Sequence, residues 1–480
     1  MSLVRAVAKN TGIQILGKGI STLLGIIIVG IFARYLGAAG FGIYTTVITF
    51  LTFFGIIVDF GLTLTTVQMI SEPAADEQKI VSNLFTLRTV SAVIFLALAP
   101  IIAFFTPYSP EIKFGIIIAT ASFFFIALNQ VLTGIFQKHL AMTRVMIAEN
   151  VGRLILLIFS VLIVKTGGGL SLLLAAIVLG AIGNFLTLWF SARPLVKIKL
   201  EIDWPIWRKI FSRSWPMAVS IIFNLIYLRA DTLIMSLTRS ATEVGLYGAA
   251  YRVIDIALMI PVMMMGIIVP LLTAAWAANQ HDIFRSRVAR TFDAFIIIIL
   301  PIVAGGVLLA EPIMALVGGP EFFAADTALR ILLIALFGAF ISTLFGHTIV
   351  ALKLQRAVIW IYGLDAAISL TAYLLLIPRF GIPAGAWVTV FSEWFAAIIL
   401  GAIVWRASHL HLRFGVAFKS LGAVILMSAI LFFARAWPVW ILIPLGAAIY
   451  AALIIGFRAV PKETLRQIFQ TPLASDRLPD

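Results

Sequence analysis

RADTLIMSLTRSATEVGLYGAAYRVID, running from Arg229 to Asp255, joins the end of one long apolar stretch to the start of the next. Arg229, Asp231, Arg252 and Asp255 fall inside stretches that are otherwise fit to cross a bilayer. A charge near the centre of such a helix costs about 2.5–3.5 kcal/mol by insertion scales, so each one calls for a partner, water or a ligand.

The rest of the chain fixes the solvent. Apolar residues make up 62% of 480, and apolar stretches of about 20 residues, the length that spans a hydrocarbon core of about 30 Å, recur throughout. The alternating segments of roughly 10 residues that mark a membrane β-barrel are absent. The reading is an all-α polytopic membrane protein with about 14 spans, at 11–34, 41–66, 79–105, 112–135, 145–165, 170–192, 214–236, 246–272, 291–311, 326–350, 357–377, 384–405, 416–434 and 437–457. The chain has no cysteine, which excludes disulfides. The first span lacks a small-residue cleavage site and is expected to stay in the membrane.

Orientation follows from the bases. Of 35 lysines and arginines, about 26 lie in or nearest the inner connections and tails and about 9 nearest the outer ones if both termini are cytoplasmic. Topology and anionic membrane lipids therefore account for the net charge of +14, and nucleic acid is not needed as a partner.

Residues 193–213, RPLVKIKLEIDWPIWRKIFSR, interrupt the spans and read as a cytoplasmic interfacial linker. They divide the chain into an N-terminal six-helix lobe (1–192), a C-terminal six-helix lobe (214–405), an additional helix pair (406–457) and a cytoplasmic tail (458–480). A weak repeat supports the lobes. GAAGFGIYTTVITF (37–50) and SATEVGLYGAAYRV (240–253) both place Gly-aliphatic-Tyr at the start of the next helix. Six crossings apart, the copies share one orientation, so a pseudo-two-fold axis would lie along the membrane normal. Pro261 and Pro301, inside the eighth and ninth spans, are expected to kink their helices, as simple shaping or as a hinge.

Residues 230–252, ADTLIMSLTRSATEVGLYGAAYR, resemble the seventh-to-eighth-span signature of the polysaccharide and O-antigen flippases of the multidrug/oligosaccharidyl-lipid/polysaccharide exporter superfamily. ILGKGISTLLGIIIVGIFARYLGAAGFGIY (15–44), LVGGPEFFAADTALRILLIALF (316–337) and GIPAGAWVTVFSEW (381–394) are similar to that family's segments at corresponding places. The resemblance implies translocation of a polyprenyl-diphosphate-linked oligosaccharide across the cytoplasmic membrane by alternating access, ion-coupled, beside polysaccharide polymerase machinery. Multidrug antiporters share the fold, and fold alone does not choose between them.

Such a cargo asks for a wet, cationic cavity. The candidate cations are Arg252, Arg229, Lys18 and Arg88, since arginine's planar fork suits phosphate oxygens. Against each stands a plainer reading: an ion pair with Asp255 for Arg252, three residues away on one face, and snorkelling to the head groups for the others. Asp231 points away from Arg229 and is expected to serve a neighbouring helix. Asp59, Asp365 and Glu393, with Asp255, are the candidates for ion coupling, because desolvation favours protonation of a carboxylate; the alternative is a structural hydrogen bond. No cofactor or metal site is expected, as GxxxxGK[ST], HExxH and cysteine clusters are missing. A membrane glycosyltransferase or ligase would need a larger outer loop than residues 310–325. The chain is therefore not expected to be an enzyme.

Overall fold

The computed structural model describes residues 3–72, 76–412 and 414–459, excepting the side chains of 3–16, 64, 216–228 and 356–357. Most of the tail at 458–480 lies outside these residues, as does the side chain of Asn224, an amide of the seventh span suited to bonding a neighbouring helix.

Among the described residues all regular structure is helical. In chain order come α1 (Leu3–Asp59), α2 (Leu62–Ile70), α3 (Glu77–Phe104), α4 (Pro110–Lys138), α5 (Met142–Lys165), α6 (Leu170–Ala192), α7 (Trp204–Thr238), α8 (Ala241–Ala277), α9 (His281–Leu308) and α10 (Ala310–Gly318). A 3₁₀ turn at Pro320–Ala325 leads to α11 (Asp326–Ala351), α12 (Gln355–Phe380), α13 (Ile382–Ser408), α14 (Gly415–Phe433) and α15 (Val439–Gly456). Starts are marked by side-chain caps where the sequence offers them. Asp76, Ser109 and Asp203 accept from the third following N–H of α3, α4 and α7, and proline occupies the first turn of the last two.

Helix α1 has 57 residues, too many for one crossing. Gly37 divides it, with φ 66° and ψ 179°, a conformation open essentially to glycine alone. The chain reverses there. Before it, Gly17 faces Met146 and Gly25 faces Arg153, so α1 rises with α5; after it, Val47 lies against Gly115 and Phe123 against Gly55, so it follows the antiparallel α4. Among the described residues, twelve helices are long and apolar enough to span a membrane. That number takes α1 once and omits α7, 35 residues long, whose side chains are described only in part. With both allowed for, the 14 spans of the sequence reading stand.

The second span ends earlier than expected. Phe60 (φ 41°) and Gly61 (φ 73°) are both left-handed, which closes α1 at Asp59 and restarts the chain as α2. Pro261 and Pro270 fall inside α8, which continues through both.

Two compact units emerge. The first comprises Met1–Arg252, Met314–Ala328 and Tyr362–Val388; the second Val253–Ile313, Leu329–Ile361 and Thr389–Asp480. Their bounds differ from those of the lobes expected from the repeat. In the first unit, one apolar core joins α2–α6 to the linker through Leu84, Leu132, Ile135, Val196, Trp207 and Ile210. Another packs the second half of α1 on α3, α4 and α6. The second unit has its own core between α9, α14 and α15, around Leu309, Met427, Leu431 and Leu442.

Candidate functional site

The quoted segment folds back on itself in the first unit. Asp231, 1% exposed on α7, accepts from the Tyr247 hydroxyl at 2.7 Å and the Tyr251 hydroxyl at 2.5 Å, both on α8. Its other oxygen accepts from the Thr232 amide. Tyr247 is completely buried, and the backbone of Gly385 at the start of α13 lies against its hydroxyl. Interfacial positions suit tyrosines on physical grounds alone, but Tyr247 and Tyr251 turn inward because a buried carboxylate needs donors. Asp231 thus serves the neighbouring helix. The Arg229 guanidinium stands 5.5 Å from the centre of the Tyr251 ring, a cation–π arrangement next to Arg252 in sequence.

The same hairpin is pressed against α1 by glycine. A Cβ on Gly42 would overlap the Ala241 carbonyl, and one on Gly245 the Ala38 carbonyl. The glycines of the two Gly-aliphatic-Tyr copies therefore face each other. The Ala38 amide just after Gly37 donates to a Glu321 carboxylate oxygen at 2.9 Å, and Arg34 donates to the Leu316 carbonyl at 2.8 Å. Across the α7–α8 turn, Arg239 is paired with Glu243 at 2.8 Å. In the turn before α4, Tyr108 meets the Ser236 hydroxyl at 2.7 Å; burial pushes its pKa up to about 12 and the Ser236 bond opposes this, so the phenol stays neutral.

Arg88 corrects the snorkelling reading, being wholly buried. It donates to the Val58 carbonyl at 2.8 Å, to Asp59 at 2.6 Å and to Thr63 at 3.0 Å; Thr63 also donates to Asp59. One guanidinium so satisfies a free carbonyl at the end of α1 and ties it to the start of α2. Its Nε is buried and has no hydrogen-bond partner among the described residues. Asp59 is correspondingly committed to Arg88.

Lys18 pairs with Glu149 of α5 at 3.2 Å, and the same oxygen accepts from Ser21 at 2.6 Å and from Arg153 at 3.4 Å. Glu149 and Arg153 were missed by the sequence reading, although both lie inside the fifth span, four residues apart, the signal used elsewhere. Asp365, 1% exposed, accepts from Ser369 at 3.2 Å. Arg252 and Asp255 are half-buried on α8.

In the second unit Glu393 of α13 is 7% exposed and accepts from Ser342 of α11 at 3.0 Å. The same unit holds a cavity of about 620 Å³ between α8, α9, α11, α14 and α15, lined by residues such as Ile297, Pro301, Leu333, Met427 and Ile443. The Tyr450 hydroxyl is the polar side-chain group in the lining.

A family model described as "Polysaccharide biosynthesis protein" matches residues 7–276. A probable low-salt glycan biosynthesis flippase of Haloferax volcanii, Agl15, is 24% identical over 185 residues, covering 38% of this chain and 39% of that protein. Among solved structures, the lipid II flippase MurJ in an inward closed conformation aligns with TM-score 0.76 at 14% identity, covering 92% of this chain and 98% of that one. An inward-facing multidrug resistance MATE transporter of the MOP superfamily aligns with TM-score 0.67 at 16% identity, over 81% of this chain and 95% of that one. At these identities the structures bear on the fold alone.

Proposed function

Because the chain belongs to the polysaccharide biosynthesis protein family, we propose that it is a flippase moving a polyprenyl-diphosphate-linked oligosaccharide across the cytoplasmic membrane by alternating access. The observation that carries the reading is the apolar cavity of about 620 Å³ built partly by the final helix pair. Such a lining suits a hydrocarbon chain and gives a charged or hydrated cargo nothing to bind. The diphosphate of such a lipid calls for cations of its own, and arginine's planar fork suits its oxygens.

Arg229 and Arg252 are the cations assigned to the diphosphate, and Lys18, paired with Glu149, is a further candidate. The Arg229 guanidinium lies over the Tyr251 ring; Arg88 holds Asp59 and the end of α1 and takes a positioning role. Asp365 and Glu393, each buried against a serine, are the coupling candidates; Asp255 follows them, and Asp59 acts through Arg88.

Purified protein in liposomes with a fluorescent polyprenyl-diphosphate oligosaccharide, read by a membrane-impermeant quencher, tests this. Transport above empty liposomes is expected, abolished in Arg229→Ala and Arg252→Ala while insertion is unchanged. If no lipid-linked sugar moves and an organic cation is exported against a proton gradient, the protein is the antiporter instead. Asp365→Asn and Glu393→Gln should flatten the pH or sodium response; an unaltered response removes them as coupling groups.

A further inference from the structure

Residues 197–204, KIKLEIDW, alternate charged and apolar with period two. Such a pattern ordinarily marks a strand whose apolar face is buried. Ile198 packs against the core of the first unit, but beyond it the apolar row is turned outward: Leu200 is 73% exposed, Ile202 62% and Trp204 71%. The fold imposes that direction. The amides of Lys199, Glu201 and Asp203 donate to the side chains of Ser82 (3.1 Å), Thr86 (2.9 Å) and Asn83 (2.7 Å) along α3. Asp203 is further held by Lys79 at 2.6 Å, whose ammonium and the Ile206 amide keep its carboxyl below the usual range. The row continues onto α7. Trp204, Arg208, Phe211 and Trp215 share its exposed side, while Trp207, Ile210 and Ser214 are buried on the other.

The bases of the segment sort into two sets. Lys209 and Arg213 are both engaged by Glu72, which holds that carboxyl low. Lys197, Lys199 and Arg208 are exposed and have no carboxylate partner among the described residues. An apolar row flanked by uncommitted bases, continuous with a membrane helix, has the chemistry of an anionic head-group region.

We propose that residues 197–215 form a fixed strap that covers its apolar row with the adjoining leaflet and gathers anionic lipids through Lys197, Lys199 and Arg208. This goes beyond the transport reading and does not depend on which cargo is carried. The strap would give the protein a local lipid composition of its own.

The native chain has no cysteine, so single probes can be placed directly. Leu200→Cys, Glu201→Cys and Ile202→Cys, each carrying an environment-sensitive fluorophore, would be reconstituted with phosphatidylcholine or phosphatidylglycerol spin-labelled near the head group. Both lipids should quench the probe at 200 and 202 well above that at 201. The labelled phosphatidylglycerol should quench more strongly at equal mole fraction, and each of Lys197→Gln, Lys199→Gln and Arg208→Gln should reduce that preference by up to about fivefold, the effect of one charge at an anionic surface. Unquenched probes at 200 and 202, or cross-linking there between two copies, would mean that something other than the bilayer covers the row. Equal quenching by the two lipids would overturn the anionic preference. Glu201 is half-buried and the other substituted positions are exposed, so unchanged circular dichroism is the accompanying control.

Discussion

The two Gly-aliphatic-Tyr copies are built on one plan and differ in chemistry. Shifted by 203 residues, the separation of Gly42 and Gly245, the first copy sets Gly37 on Ser240, Ala38 on Ala241 and Tyr44 on Tyr247. The contacts obey the shift, since each glycine abuts the carbonyl of the other copy's alanine. The polar residues do not. Asp231 corresponds to Ile28, Tyr251 to Ile48, Arg229 to Ile26 and Arg252 to Thr49. The repeat therefore supplies shape twice, and charge only once. Capping shows the same asymmetry. In the second copy Ser240 and Glu243 cap α8 reciprocally; in the first, Gly40 stands where Glu243 would, and Glu321 reaches the Ala38 amide from 283 residues away.

Substitutions can break this comparison in order of size. Asp231→Ala removes the acceptor shared by two buried tyrosine hydroxyls and should cost about 1–3 kcal/mol for each, against about 0.5–1.5 kcal/mol for Ile28→Val. Thermal unfolding in detergent compares them, and equal losses would mean that the polar cluster adds nothing to the second copy. Gly42→Val and Gly245→Val should each destabilise by about 1–3 kcal/mol or more through overpacking. The two losses should match; tolerance of one alone would show that the glycine contact is not reciprocal.

Smaller effects sharpen the capping difference. Glu321→Ala should lower stability by about 0.5–2 kcal/mol, as loss of an N-terminal cap does, and Gly40→Glu in that background should recover part of it by restoring the local acceptor of the second copy. No recovery would place the contribution of Glu321 elsewhere than at the amide. Tyr247→Phe should cost about 0.5–1.5 kcal/mol, one net hydrogen bond. Tyr44→Phe should cost least, because its half-buried ring packs on Phe32 and Phe41 and its hydroxyl contributes no such bond among the described residues.

The spans were legible from hydropathy because a bilayer demands apolar length whatever the partners are. The repeat was legible too, yet its spacing did not show that its glycines are the surfaces where two helices meet. For the charges, residue type was informative and partner was not. Asp231 could be assigned to a neighbouring helix since its separation from Arg229 turned the two apart, but nothing in the sequence named Tyr247 and Tyr251 as its donors. Arg88 and Asp59, 29 residues apart, lie on helices whose register the sequence does not give. Lys18 was seen without Glu149, which is 131 residues distant.

The sequence by itself determined that this chain crosses a membrane about fourteen times, that it repeats a shape, and that it carries charges into hydrocarbon. Those properties are local sums, additive along about 20 residues at a time. Tertiary structure alone decided which partners the charges meet, where the linker turns its apolar row, and that a cavity opens between α9 and the last pair. Each depends on the relative rotation and depth of helices distant in sequence, which many weak contacts fix together and no short segment encodes.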